Sequence, residues 1–158
     1  MPSSSIDSFI QACIFNQVLQ VEQLIKEGVD INGVNNVGQT GLMMAMMFGN
    51  TEVAAALLAH VDIKLDTTDI YGSTALHWAC LGDEVESVKL FLAHPACTKE
   101  VVKMKDEDGE AAAKCYSREC GKLIKEFMGD INDDIQRKNN GSHSILKLIS
   151  RFCCNFSL

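Results

Sequence analysis

Two stretches of the chain share one pattern of apolar and polar positions. Gly38 to Leu58 reads GQTGLMMAMMFGNTEVAAALL, and Gly72 to Leu92 reads GSTALHWACLGDEVESVKLFL. They align without a gap at an offset of 34 residues, pairing Gly38 with Gly72, Thr40 with Thr74, Leu42 with Leu76, Ala45 with Ala79, and Leu57-Leu58 with Phe91-Leu92. Apolar residues fall three and four apart, as at Leu76, Ala79 and Cys80, which predicts a short helix with one buried face. Gly49-Asn50 and Gly82-Asp83 break the chain. A second helix follows, carrying Val53, Leu57 and Leu58 in one copy and Val88, Phe91 and Leu92 in the other. The Gly-x-Thr opening predicts a turn and then a helix N-cap, in which the Thr hydroxyl accepts a bond from an orphaned amide. Two such helices cannot bury their apolar sides alone, whereas stacked copies can.

Four units fit this pattern. The first runs from about Ser5 to Val34, with Asp7 expected as its N-cap and Ala12, Leu24 and Ile25 at its core positions. The second spans Asn35 to about Thr68, and the third Asp69 to about Lys105. The third is longer, and the excess falls in a loop from His94 to Lys99, where Pro95 ends the preceding helix. The fourth, Asp106 to Met128, is degenerate, with Ala111 at the Thr position, Lys114 at the His position and Tyr116 where a small residue is expected. Residues 1–128 thus read as one repeat domain and 129–158 as a tail. In the tail, Ile145, Leu146, Leu148, Ile149 and Phe152 form a short amphipathic stripe expected to cap the open end of the stack.

Thr74-Ala75-Leu76-His77-Trp78-Ala79 resembles the ankyrin signature Thr-Pro-Leu-His-x-Ala, with Ala in the Pro position. The Gly at the hairpin tip and the Leu-Leu end of the second helix also match. Gly28-Val29-Asp30-Ile31-Asn32 resembles the Gly-Ala-Asp-Val-Asn run that leads into the next hairpin. The resemblance covers about residues 5–128. It implies an all-α fold, a solenoid of stacked helix-turn-helix units with β-hairpin-like loops, and a non-catalytic protein that binds another protein. It also implies that His77 hydrogen-bonds between repeats and that Cys80 fills a small core position.

Composition and charge narrow the partners. Apolar residues make up 47% of the 158-residue chain, enough for a core without staples. The net charge is −7, divided as −5 over residues 1–68, −3 over 69–128 and +1 over 129–158. Lys26 and Lys64 are the only Lys or Arg residues of the first segment, so a phosphate backbone is a poor partner and a basic protein segment a better one. The seven cysteines contain no C-x-x-C pair, and the start MPSSSIDSF lacks the basic and apolar regions of a secretion signal. Reduced thiols in the cytosol or nucleus are therefore expected.

No catalytic signature, cofactor motif or zinc-ligand spacing appears. No cofactor, metal or small-molecule substrate is expected. His77 with Cys80, and His94 with Cys97, Cys115 and Cys120, read as structural side chains. An enzyme built on Cys or His chemistry would instead need a thiol of unusually low pKa.

The ankyrin resemblance places a concave binding face at Asn36, Val37, Gln39, Met47 and Phe48 in the second unit. In the third it implies Ile70, Tyr71, Ser73 and Leu81, and in the fourth Glu107, Asp108, Glu110 and Arg118. Several of these are large and apolar, as at interaction sites. The competing reading is that Phe48 and Leu81 tuck into neighbouring units. Met43, Met44, Met46 and Met47 are read as core filling, apart from Met47's place on the face.

The expected role is a scaffold, adaptor or inhibitor. Alternatives are an inhibitor that sequesters a transcription factor, in the manner of the inhibitor of NF-κB, and an adaptor tethered to a membrane through Cys153-Cys154. Leu24, Asp30-Ile31 and Asn32 resemble the substrate pattern of the asparaginyl hydroxylase that inhibits hypoxia-inducible factor, which would make Asn32 a modification position. The alternative is that Asn32 closes its loop by hydrogen bonds.

Overall fold

The computed structural model describes residues 5–114 and 117–129. The first unit contains α1 (Ser5–Ile14) and α2 (Val18–Lys26), the second α3 (Gly41–Met47) and α4 (Thr51–Leu58), and the third α5 (Ala75–Leu81) and α6 (Val85–Ala93). A short α7 (Lys99–Val102), a 3-10 turn at Ala112–Lys114 and α8 (Arg118–Met128) follow. The 34-residue repeat is therefore a helix pair, as the pattern predicts.

The pairs stack in two rows. α3 packs between α1 and α5, and the 3-10 turn extends this inner row. The outer row is α2, α4, α6 and α8, each packed on the next. α3 is the middle of the core: all seven of its residues are buried, including Met43, Met44, Met46 and Met47. Phe9 and Cys13 of α1 lie against its first turn, and a Cβ added at Gly41 would sit 2.7 Å from Phe9 and 2.8 Å from the Cys13 sulfur. Thr40 starts α3, its hydroxyl accepting from the Met43 N–H at 3.2 Å. The first unit departs from this scheme. α1 already runs through Ser5, so Asp7 lies in the first turn rather than at the N-cap, where its charge complements the helix dipole.

Polar side chains tie one unit to the next. Asn50 donates from its amide to the carbonyls of Cys13 and Ile14, at 2.8 and 2.7 Å, and satisfies the C-terminal end of α1. Asn32 donates to the Asp62 carbonyl at 2.8 Å and accepts from the Lys64 N–H at 2.9 Å. That clamps the first inter-unit loop to the second. His94 stands before Pro95 in an extended conformation that ends α6. Its Nδ1 accepts from the Ala96 N–H at 3.1 Å, so Nε2 carries the proton and donates to the Leu58 carbonyl at 2.9 Å. The loop expected after Pro95 continues into α7, started by Thr98, which accepts from the Val101 N–H at 3.4 Å.

The loop tips repeat in atomic detail. Asn35, Asp69 and Asp106 each donate their backbone N–H to the carbonyl four residues on, at 3.0, 3.1 and 3.0 Å. Their side-chain oxygens accept from the second and fourth N–H groups that follow, at distances between 2.9 and 3.1 Å. Neighbouring tips are also bonded: Ile70 donates to the Val37 carbonyl at 3.1 Å, and Glu107 to the Tyr71 carbonyl at 2.8 Å. Gly38 makes this approach feasible, because a Cβ there would lie 2.9 Å from the Asp69 Cα.

A matched pair of substitutions measures that approach. Gly38 and Gly109 have nearly equal positive φ, 78° and 75°, but nothing lies within 4 Å of a Cβ at Gly109. Gly109→Ala should cost about 1–2 kcal/mol, the strain of the left-handed conformation. Gly38→Ala should cost about 1–3 kcal/mol more, from crowding against the next tip. Equal urea midpoints for the two variants would contradict the tip contact.

Candidate protein-binding face

The residues expected on the concave face separate by burial. Asn36, Ile70, Glu107 and Asp108 are exposed, and Val37, Phe48, Tyr71, Leu81 and Glu110 are half-buried. Gln39, Met47 and Ser73 are only 5%, 6% and 7% exposed, and so offer almost no surface to a partner. Met47 closes the buried α3. Gln39 and Ser73 occupy the returning arm of each tip, where their backbone groups pair with Asn35 and Asp69. Phe48 and Leu81 pack partly against the core, which agrees in part with the tucked-in reading. Arg118 is exposed but opens α8, in the outer row; the described residues of the fourth unit's inner row form a 3-10 turn at Ala112–Lys114. Cys115 and Tyr116, the amphipathic stripe of the tail and Cys153-Cys154 lie outside the described residues.

What remains is a row along the tips. Val37, Ile70, Tyr71 and Glu107 are held in register by the two tip-to-tip backbone bonds. Ile70 is 60% exposed, an apolar side chain directed at water from a rigid support. Four carboxylates, Asp106, Glu107, Asp108 and Glu110, follow against two lysines, Lys105 and Lys114. Glu110 and Lys114 pair at 2.8 Å, and the Asp106 carboxylate is committed to its own turn. Glu107 and Asp108 are the acids that face outward. Sequence reasoning assigned no role to Asn35, Asp69 and Asp106, the residues that shape each tip. An Asn or Asp three residues before the tip Gly in three successive units was the available signal.

His77 connects helix and tip. Its Nδ1 accepts from the Thr74 N–H at 3.2 Å, which leaves the proton on Nε2. Nε2 donates to the Glu110 carbonyl at 3.1 Å, so the side chain bridges the third and fourth units, as the resemblance implied. Both nitrogens are committed, and His77 is not a base for Cys80. Trp78 donates to the second oxygen of Asp69 at 3.0 Å and so anchors α5 to its own tip. Cys97 is buried, and burial pushes its thiol up to about 11. A groove of about 380 Å³ on α2 is lined by Leu19, Gln20, Gln23, Leu24 and Glu27, without a thiol, hydroxyl or imidazole.

Stacked helix pairs with a continuous row of bonded loop tips define a repeat solenoid. The chain belongs to the ankyrin-repeat family: the model described as ankyrin repeats (3 copies) matches residues 9–105. Such repeats are, as a family, non-catalytic protein-interaction modules. The fourth unit, with its 3-10 turn at Ala112–Lys114, lies beyond the matched segment.

The chain is 36% identical over 70 residues to the E3 ubiquitin-protein ligase XBAT33 of Arabidopsis thaliana, covering 44% of this chain and 14% of that protein. It is 29% identical over 126 residues to the mitochondrial disaggregase of Bos taurus, covering 58% and 19%. It is 38% identical over 85 residues to the human SMC5-SMC6 complex localization factor protein 1, covering 53% and 8%. The chain thus spans less than a quarter of the length of these relatives. Among the described residues, no helix is long and apolar enough to cross a membrane.

Burial holds the pKa of His77 below its ordinary value, although its bond to Glu110 and the charges of Asp106 and Asp69 oppose the shift. The unfolded chain therefore binds more protons than the folded one below the ordinary value. The contribution of His77 to stability is present above that value and is lost as pH falls through the folded one. Urea midpoints at about pH 7.5 and about pH 5.5 should differ, with the acid value lower. The difference should shrink in His77→Gln, which keeps a donor for Glu110 but does not titrate. An unchanged difference in that variant would contradict a neutral imidazole at this half-buried position.

Proposed function

We propose that this chain is a non-catalytic adaptor module that takes an extended, partly basic segment of another protein along its row of loop tips. The reading rests on one observation above the others: Val37, Ile70, Tyr71 and Glu107 lie along one row of loop tips joined by tip-to-tip backbone hydrogen bonds, with exposed Asp108 next to Glu107. A rigid support lowers the entropy lost on binding. Exposed Ile70 and half-exposed Tyr71 supply apolar anchors. The outward acids favour Lys or Arg in the partner and speed encounter.

A scaffold or inhibitor, including one that sequesters a transcription factor, would use the same face. The adaptor version is preferred because the segment similar to XBAT33 is a small part of a larger ligase. A cytosolic or nuclear location accompanies this reading. Asn32 is retained as a modification position, and hydroxylation there would act on the loop clamp to Asp62 and Lys64. The contact row lies elsewhere.

Selection of a displayed library of random peptides on the immobilised chain tests the reading. Enriched peptides should combine Lys or Arg with apolar residues. Their affinity should fall at least about tenfold, or about 1.4 kcal/mol, for Ile70→Ala with Tyr71→Ala. Glu107→Lys with Asp108→Lys should slow association and weaken its salt dependence. Peptides that bind all variants equally, while circular dichroism shows intact helices, would refute the face.

A further inference from the structure

The first inter-unit loop carries a dipeptide with chemistry of its own. Asn32 is followed by Gly33. An Asn-Gly pair loses its side-chain amide without an enzyme, because no side chain shields the Gly nitrogen from the Asn Cγ. One other such pair occurs in the sequence, Asn140-Gly141, outside the described residues. The next inter-unit loop has Lys64-Leu65 at the matching place, after Asp62-Ile63 as here after Asp30-Ile31.

The fold requires both members of the pair. Gly33 lies against α1: a Cβ there would collide with the Ile6 side chain and sit 2.9 Å from the Asp30 carbonyl oxygen. Asn32 is the clamp to the second unit. Its Nδ2 donates to the Asp62 carbonyl at 2.8 Å, and its Oδ1 accepts from the Lys64 N–H at 2.9 Å. That takes a donor and an acceptor on one side chain, which an amide has and a carboxylate lacks. The turn is fastened as well: the Gly33 N–H donates to the Asp30 carbonyl at 2.9 Å, and the Asn32 N–H to the Asp30 carboxylate at 2.9 Å. Both bonds of the Asn32 side chain and the bond of the Gly33 nitrogen must open before that nitrogen reaches Cγ. Local opening of the first unit therefore gates the reaction.

We propose that Asn32-Gly33 is a self-deamidating switch, held off by the clamp between the first and second units, whose conversion releases the first unit for good. The Gly33 nitrogen attacks the Asn32 Cγ. An N–C bond forms, the Cγ–Nδ2 bond breaks, and the Nδ2 group leaves as ammonia with the Gly33 amide proton. Water then opens the five-membered imide. Breaking the new N–C bond gives Asp at position 32. Breaking the original peptide bond gives isoaspartate, with the chain running through Cγ. One water is consumed and one ammonia released, with no change of oxidation state.

Either product undoes the clamp. A carboxylate at position 32 has no proton for the Asp62 carbonyl, so two acceptors face each other. It also adds a negative charge beside Asp30 and Asp62, in a segment, residues 1–68, of net charge −5. Isoaspartate lengthens the backbone and moves Gly33 from its place against Ile6.

The full chain with Asn140→Gln, in which Asn32 is the remaining Asn-Gly site, provides the test. It is held in mildly alkaline buffer, folded or in urea, then digested and analysed by mass spectrometry. Conversion at Asn32 should be at least about tenfold slower in the folded chain. Equal rates would overturn the gating. The converted chain, separated by its added negative charge, is then compared with the unconverted one by hydrogen exchange. Exchange should rise in α1, α2 and residues 61–65, with α5 and α6 unchanged. Exchange unchanged at both loops would overturn the switch, and so would exchange raised equally in every unit. The product distinguishes this chemistry from hydroxylation of Asn32, which keeps the amide. The result is also independent of the contact row.

Discussion

A seven-residue helix with every residue buried has no stability of its own. α3 is such a helix, and it is far below the length at which an isolated helix holds in water. It exists because α1 and α5 cover it from either side and α4 lies beside it. Burying a side chain such as Leu42, Met43 or Met46 contributes about 1.5–3 kcal/mol, and each of these gains requires a neighbouring unit. The sandwiching of α3 is therefore the condition for the rest of the stack. The polar links Asn50 to Cys13 and Ile14, Asn32 to Asp62 and Lys64, and His77 to Glu110 keep adjacent units in one register.

Stacking then makes the proposed contact surface. Once the helix pairs are in register, their loop tips come close enough for Ile70 to reach Val37 and Glu107 to reach Tyr71. Each tip is pre-shaped by Asn35, Asp69 or Asp106, so little backbone freedom remains to be lost when a partner binds. The core residues and the contact residues are thus consecutive parts of one chain segment with separate duties. Gln39 and Ser73 hold the tip, whereas Ile70 and Tyr71 face outward from it.

The fold was legible because its signals are local and repeated. The 34-residue offset, the Thr40 cap and the stop at Pro95 follow from patterns in the sequence itself, whereas the bridging role of His77 came from the ankyrin resemblance. Burial at the tips was less legible. Gln39 and Ser73 are polar and adjoin a turn, which ordinarily places them in water, yet inter-unit stacking covers them. Arg118 was misplaced because the alignment assumed a full first helix in the fourth unit, where the structure has Ala112–Lys114 in a 3-10 turn.

Hydrogen exchange of the chain, alone and with a saturating library-selected peptide, tests the account at its centre. The account predicts that added protection falls on the tip segments 35–39, 69–73 and 106–110, with the outer helices α2, α4 and α6 unchanged. Protection confined to those outer helices, with the tips exchanging as in the unbound chain, would contradict it.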